Sequence, residues 1–304
     1  MSRGRGFQRG WWLVLITLGV MYTAAVPFMF INAAADSFLY MLCGECVLVI
    51  PLIVGVFMLF WENTDKPVSE QMGLCGFPLR LVPYILLMVL CAKGFSVFFM
   101  APAQAILSAL LGLPDYSDIE VGVFWQNFMI LCVLAPILEE AICRGVILQL
   151  FKRYGTAASL IFSSLAFAMM HQSAQTFFAI FFLGMLLGLI RLTTGSLLAS
   201  ILAHAASNFY SLCVLSGSAV SETIIEIIGI AAATAFPFVL IKYMGTVSGC
   251  VRQPKVEKNV PVGFSVALLI VILIFAAVNI RLFAMNVIDT GMDAYDIFSG
   301  EMVY

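Results

Sequence analysis

The feature that most constrains this chain is its succession of long apolar segments separated by short polar ones. A helix needs about 20 apolar residues to cross the hydrocarbon layer of a bilayer, and its backbone must satisfy its own hydrogen bonds there. Composition agrees, because 62% of the residues are hydrophobic and only 11% are charged, whereas soluble domains carry about 25% charged residues. We therefore predict an integral membrane protein of the all-α class, a polytopic transmembrane helical bundle.

Nine apolar windows mark the predicted helices, and we expect eight to nine membrane spans in a single membrane domain covering residues 1–304. The first window follows a basic segment, as in a signal peptide, but its length and poor cleavage pattern favour an uncleaved helix. The windows lie near 11–31, 38–60, 81–101, 121–151, 156–171, 175–191, 196–216, 222–244 and 262–284.

The distribution of charge predicts the orientation and the surroundings of the chain. Most of the 15 Lys and Arg residues fall in alternate loops, which places the N-terminus in the cytoplasm because basic loops favour that side. The net charge of −2 argues against a nucleic-acid partner, since neutralising phosphates needs a basic surface. No Asn-x-Ser/Thr sequon is present, and we expect a bacterial plasma membrane.

Ionisable residues inside predicted spans are functional candidates, because they are costly in lipid. Glu139 and Glu140 are adjacent in the apolar segment LAPILEEAICRGVIL, and Arg144 follows one turn later. Glu140 and Arg144 stand at i,i+4 and can form an ion pair, while Glu139 points about 100° away around the helix. We expect Arg144 to hold Glu140 ionised and Glu139 to face a cavity as a general base.

Both histidines of the chain also lie in predicted spans, His171 in FAMMHQ and His204 in LLASILAHAASNF. Asn208 follows His204 at i,i+4, so the two side chains share one helical face. Counted at about 1.5 Å per residue, Glu139, the histidines and Asn208 reach similar depths in the membrane, which predicts one site. Each residue alone is also compatible with a structural contact between helices.

A second buried pair is predicted away from this site. Glu45 and Lys93 each lie seven residues from the outer end of a predicted span, which is about 10 Å along a helix. Opposite charges at matched depth in neighbouring helices commonly neutralise each other. The alternative is that Lys93 extends outward alone and Glu45 is protonated.

Three short motifs, taken together, resemble the CAAX-protease and bacteriocin-processing family of intramembrane proteases, which includes the type II CAAX prenyl endopeptidases. EEAICR fits the EExxxR pattern of that family, FAMMH fits FxxxH, and HAASN fits HxxxN. The resemblance covers about residues 125–215, and we place the catalytic core at 121–216. The matching positions are Glu139, Glu140, Arg144, Phe167, His171, His204 and Asn208.

This resemblance implies an intramembrane endopeptidase that hydrolyses a peptide bond of a membrane-embedded or membrane-associated peptide or protein. Glu139 would activate the attacking water with help from His171. His204 and Asn208 would stabilise the oxyanion of the tetrahedral intermediate, as donors preplaced in a dry cavity can do. Substrate identity and oligomeric state do not follow from the sequence.

The resemblance leaves the metal question open. Glu140 and Arg144 would form a supporting pair beside the reacting groups. Glu139, His171 and His204 make up a ligand set that zinc accepts, although the HExxH spacing of many zinc proteases is absent. We expect no tightly bound cofactor and keep zinc as the alternative.

Two other functions remain possible for the same helices. A non-proteolytic membrane scaffold or regulator could keep the family fold without cutting its partners, because fold does not fix function. A proton-coupled transporter would also place Glu and His inside the membrane, but it would be expected to show an internal repeat, and none stands out here. Intact candidate catalytic residues favour the protease.

Overall fold

The computed structural model describes residues 5–30, 37–62, 66–96, 106, 123–171, 173–174, 176–216, 219–250, 268 and 270–275. Within these ranges the regular structure is helical throughout, and no strand occurs. The all-α prediction is therefore confirmed for the described part of the chain.

Ten helices, leaving aside two short 3₁₀ turns, follow one another along the described ranges, and each predicted window from 11–31 to 222–244 overlaps at least one of them. The window at 262–284 lies largely outside the described residues, as do positions 97–101 of the third window. The helices are α1 (Arg5–Phe30), α2 (Ser37–Cys46), α3 (Val49–Glu62), α4 (Val68–Met72), α5 (Val82–Phe95), α6 (124–151), α7 (Thr156–Met170), α8 (Phe177–Thr194), α9 (Leu197–Leu215) and α10 (Ala219–Cys250).

Four helical stretches in the described ranges are long and apolar enough to cross a membrane. Two further apolar helical stretches are shorter, Arg9–Met21 within α1 and Thr156–Met170, which is α7. These lengths support an integral membrane protein, while the count of eight to nine spans and the cytoplasmic N-terminus stay predictions. The four stretches are Met41–Trp61, Phe177–Thr194, Leu197–Val214 and Ile227–Thr246.

Helix α6, which carries the Glu pair, alternates between α-helical and π-helical segments. The apolar pattern of the sequence does not predict this alternation. Pro136 gives a reason for the first irregularity, since proline lacks an N–H and its ring clashes with the carbonyl one turn earlier. The helix relieves this by a wider π-helical path immediately before the proline. Its successive parts are α-helical Phe124–Asn127, π-helical Phe128–Leu134, α-helical Ala135–Glu140, π-helical Ala141–Ile147 and α-helical Leu148–Phe151.

Small residues bring α7 and α8 close together. Gly184 and Gly188 are spaced as in a GxxxG pattern, which lets helix backbones approach each other in a membrane. A Cβ atom added to Gly184 would lie 3.1 Å from the Cβ of Ser164 on α7, and one added to Gly188 would meet the side chain of Leu160. This close contact holds the α8 backbone beside α6 and the candidate site.

Two apolar clusters form the core of the described bundle. The first joins α1, α3, α6 and α7, and in it the Trp11 ring centroid lies 5.6 Å from that of Phe151. The second joins α5, α8, α9 and α10, where Gly94 on α5 packs directly against the backbone of Gly229 on α10. The candidate site residues on α6 and α9 lie between these two groups of helices.

Candidate functional site

Glu140 and Arg144 form the ion pair that their spacing predicts. Arg144 Nη1 donates to Glu140 Oε1 over 2.9 Å, and both side chains are completely buried. Arg144 also donates from Nη2 to the carbonyl of Gly184 over 3.1 Å, and its guanidinium lies 4.2 Å from the ring centroid of Phe167. Arg144 therefore connects α6 with α7 and α8 as well as neutralising its neighbour.

His204 on α9 binds the same carboxylate. Its Nδ1 lies 3.1 Å from Glu140 Oε1, and this imidazole nitrogen is the donor because the carboxylate accepts. The hydroxyl of Ser200, one turn earlier on α9, also lies beside Glu140. Glu140 thus fixes the tautomer and orientation of His204 when the ring is neutral, as carboxylates do for catalytic and metal-binding histidines.

Glu139 stands in a different environment from its neighbour. Its side chain is 17% exposed, whereas that of Glu140 is not exposed at all. Glu139 Oε2 lies 3.8 Å from His204 Nε2, which is beyond hydrogen-bond distance, and this buried oxygen has no hydrogen-bond partner among the described residues. Glu140 Oε2 also has no partner there, so the two carboxylates differ in their exposure and in the bonds that Glu140 makes through Oε1.

His171 lies just beyond the end of α7, and its side chain is exposed. Its Nδ1 donates to the Phe167 carbonyl over 2.8 Å, which leaves Nε2 as an acceptor in the neutral ring. The Phe167 ring contacts both histidines, with centroid distances of 4.7 Å to His171 and 5.6 Å to His204. Within the described ranges, His171 forms no hydrogen bond to Glu139 or His204.

Asn208 lies one turn after His204 on α9 and is half-buried. Its Nδ2 donates to the carbonyl of Leu131 over 2.8 Å, in the first π-helical segment of α6. The amide therefore ties α9 to α6 next to the Glu pair. Its second N–H is not used by this bond.

The candidate zinc ligands do not gather into a metal site. In the part of the chain that the structure describes, no group of three His, Cys, Asp or Glu residues could hold a metal ion. Glu139 and His204 approach each other, but His171, whose Nε2 stays available, does not join them in a group of three in the described residues. As they are placed, the three side chains do not form a zinc site, and no step of the reaction is derived through a metal.

The predicted pair of Glu45 and Lys93 is wrong for the described residues. Lys93 Nζ instead donates to Ser211 Oγ on α9 over 2.8 Å. Glu45 lies close enough to Glu139 for their charges to interact, and its buried Oε2 has no hydrogen-bond partner in the described ranges. Equal depth did not make the two residues neighbours, because they face different helices.

Two contributors to the site were not predicted from the sequence. The Gly184 carbonyl that accepts from Arg144 is a backbone group, so no residue type announces it. Ser200 stands at i−4 from His204, but a serine in an apolar helix commonly bonds its own backbone. Helical spacing from His204 could have identified Ser200 as a candidate, whereas Gly184 required the packing of α8.

Ionisable side chains inside an apolar helical bundle are costly, so the cluster of Glu139, Glu140, Arg144 and His204 marks a candidate functional site. In this cluster Glu139 Oε2 lies close to the His204 imidazole without a hydrogen bond to it.

Residues 121–210 match the family described as type II CAAX prenyl endopeptidase Rce1-like. This match confirms the family resemblance of the three motifs, and it includes all six predicted site residues. It supports a CAAX-type intramembrane protease with a membrane-associated peptide substrate. Neither a curated protein nor a solved structure matches the chain.

Proposed function

We propose that this protein is an intramembrane endopeptidase that hydrolyses a peptide bond of a membrane-associated peptide or protein with water activated by Glu139. The observation that carries the proposal is the difference between the two carboxylates. Glu140 is fully buried and bonded through Oε1 to Arg144 and His204, while Glu139 is partly exposed and has its unbonded Oε2 3.8 Å from Nε2 of the same imidazole. A water held by both groups would be ready for deprotonation.

In the proposed reaction Glu139 accepts a proton from water while the water oxygen bonds to the peptide carbonyl carbon. The carbonyl oxygen becomes an oxyanion, and protonated His204 donates to it from Nε2. The free N–H of Asn208 is the second donor. Collapse of the intermediate breaks the C–N bond, and Glu139 returns the proton to the leaving amine. Such preplaced donors are the largest contribution in many acyl-transfer enzymes.

The other residues would act by holding these groups. Glu140 fixes Nδ1 of His204, so that Nε2 is presented to the reacting atoms. Arg144 prevents Glu140 from being an uncompensated buried charge. His171 would accept from the attacking water through Nε2 once a bound peptide closes the gap to Glu139.

The substrate class is taken from the family description, which names CAAX prenyl endopeptidases. We extend this to lipid-anchored or strongly apolar peptides that reach the site from the membrane, including peptide precursors and signal-peptide remnants of a bacterial plasma membrane. No tightly bound cofactor is needed for the proposed chemistry.

A cleavage assay tests the proposal. The protein purified in detergent is incubated with a farnesylated CAAX peptide, the same peptide without the lipid, and an apolar signal-peptide fragment, and products are identified by mass spectrometry. We expect cleavage of at least one peptide and its loss in Glu139→Gln. Glu70→Gln is the matched control, because Glu70 is exposed and pairs with Lys66.

Two results would contradict the proposal. Full activity in Glu139→Gln would remove Glu139 from the reaction. A folded wild-type protein that binds these peptides and cuts none of them would favour the scaffold or regulator.

A further inference from the structure

Glu45 is a membrane-embedded carboxylate that the proposed reaction does not use. It lies on α2, one residue before this helix ends at Cys46, and its buried Oε2 has no hydrogen-bond partner among the described residues. An ionisable side chain in an apolar bundle lowers stability, and a buried polar atom without a partner adds to that cost. No contact in the described part of the fold compensates for it, so Glu45 is a candidate for a role in the reaction.

The backbone that follows Glu45 leaves the α-helical path. Pro51 has no N–H to donate to the Val47 carbonyl, and Ile50 N donates to it instead over 3.1 Å. Leu48 N likewise donates to the Glu45 carbonyl over 2.9 Å. These bonds span three residues, as in a 3₁₀ turn. Irregular backbone at membrane depth is tolerated where protein covers it or where it lines a water-filled cavity, which places Glu45 at the interior side of α2.

Glu139 is a neighbour of Glu45 inside the bundle. Helix α2 packs against the first π-helical segment of α6, and the two carboxylates lie close enough for their charges to interact. Arg144, the cation that follows Glu139 on α6, donates to Glu140, and Glu45 forms no ion pair in the described ranges. Two carboxylates that share an apolar site without a cation do not both ionise, so the pair holds one proton.

Two helices thus bring titratable groups to Glu139 in addition to its own helix. His204 Nε2 approaches its Oε2 from α9, and Glu45 approaches from α2. The reaction described above uses His204 and Asn208 for the oxyanion and His171 for the attacking water. Apart from Glu139 itself, Glu45 is then a carboxyl beside the reacting atoms that is free to give a proton to the leaving nitrogen.

We propose that Glu45 is a further catalytic residue, the acid that protonates the leaving amine. The proposal rests on the proposed function. Glu139 takes a proton from the water that bonds to the carbonyl carbon. As the oxyanion re-forms the carbonyl, the electron pair of the C–N bond goes to nitrogen, which takes the proton of Glu45. Glu139 then passes the water proton to Glu45, and both carboxyls return to their initial state.

This scheme divides between two carboxyls the proton transfers that Glu139 would otherwise perform alone. A base that has just accepted a proton and an acid that is ready to give one act on opposite sides of the same carbon. Carboxyl groups whose surroundings differ are the usual means by which one site supplies both. The scheme also gives a reason for the stability that Glu45 costs, because functional groups are retained in the membrane in spite of their cost.

Two substrates with the same acyl part separate a proton donor from a structural role. The first is a peptide that the wild-type protein cuts in the assay above, and the second is the 4-nitrophenyl ester of its N-terminal product, whose leaving group departs as an anion. Glu45→Gln removes the proton donor and keeps nearly the same volume. Because general acid catalysis contributes about 10²–10⁴-fold, we expect kcat for the peptide to fall by about that factor. We expect kcat for the ester to stay close to that of the wild-type protein.

Three further variants support this comparison. Glu45→Asp keeps a carboxyl and should retain part of the peptide cleavage. Cys46→Ser is the matched control, because Cys46 follows Glu45 on α2 and is an exposed free thiol, and it should cut both substrates as the wild-type protein does. Glu45→Met replaces Glu45→Gln if thermal unfolding shows that the latter does not fold.

The outcomes of the cleavage assay distinguish the two proposals. Equal losses for peptide and ester in Glu45→Gln would mean that Glu45 only supports the shape of the site, which would overturn the acid role. Undiminished peptide cleavage would overturn it as well and leave Glu139 as the proton donor of an intact endopeptidase. A wild-type protein that cuts neither substrate would contradict the endopeptidase and the acid role together.

Infrared spectroscopy tests the proton itself without any cleavage, because a protonated carboxyl and a carboxylate absorb at different frequencies. At neutral pH we expect the detergent-solubilised wild-type protein to show a protonated carboxyl band that Glu45→Gln lacks. Glu70→Gln should keep this band, since Glu70 is exposed and pairs with Lys66. A band that disappears only in Glu139→Gln, or identical bands in wild-type protein and Glu45→Gln, would show that Glu45 holds no proton to give and would overturn the proposal.

Discussion

Replacing Arg144 by alanine removes the cation around which the buried half of the site is assembled. The guanidinium bonds Glu140 and the Gly184 carbonyl and lies over the Phe167 ring, so Arg144→Ala leaves a carboxylate and a carbonyl without their donor. We expect the variant to be less stable and inactive, because His204 is held through Glu140.

The magnitude follows from the complete burial of both charges. Breaking a buried ion pair by removing one partner costs about 3–5 kcal/mol, which is a large share of the roughly 5–15 kcal/mol that stabilises a typical protein. At about 2–4 °C per kcal/mol, the unfolding midpoint should fall by about 6–20 °C. The exposed Arg80→Ala is the matched control and should change little.

Unfolding can be followed by intrinsic tryptophan fluorescence, since Trp11 is fully buried. The double variant Arg144→Met with Glu140→Gln tests the cause, because glutamine keeps an oxygen acceptor for His204 but removes the charge. We expect it to recover most of the lost stability and none of the activity. A single Arg144→Ala that unfolds at the wild-type temperature, or a double variant no more stable than the single one, would refute the buried-pair argument.

Three further predictions concern single side chains. Asn208→Ala should lower kcat by about 10²–10³-fold, as expected for one oxyanion donor, in the peptide cleavage assay, whereas a change in KM alone would argue for a binding role. Gly184→Ala should destabilise the protein by about 1–3 kcal/mol in denaturant unfolding because its Cβ would crowd Ser164. Gly19→Ala, with open space around the new Cβ, should be neutral or stabilising. Glu45→Leu should raise the unfolding temperature, because Glu45 Oε2 is buried without a partner. A lower temperature would reveal that this carboxylate has one.

The relations within one helix were predictable from the sequence, because the helical repeat is fixed. Glu140 and Arg144 stand four residues apart and do form their pair. The bond between His204 and Glu140 spans 64 residues and joins two helices. Depth along the membrane indicated that they could meet, but the choice of Glu140 over Glu139 as the partner of Nδ1 depends on how α9 is rotated against α6.

The same limit of depth as a guide explains why the predicted pair of Glu45 and Lys93 is wrong. Depth is one coordinate of three, and it left the lateral arrangement of α2 and α5 open. Lys93 therefore met Ser211 on α9, and Glu45 came near Glu139. The predicted window at 38–60 likewise missed the turn at Val47 and Leu48, because a hydropathy average does not register a break in backbone hydrogen bonding.

The two π-helical segments of α6 have a consequence for how this helix can change in length. A π-helical turn closes over five residues where an α-helical turn closes over four, so each segment takes up one extra residue. Deleting one residue from Phe128–Leu134 lets this segment close as an ordinary α-helical turn, so the helix before it keeps its rotation relative to the Glu pair. A regular α-helical turn has no extra residue to give up, and a deletion there rotates the preceding helix by about 100°. The length of α6 is thus adjustable by one residue at each π-helical segment, while angular alignment with α9 fixes it elsewhere.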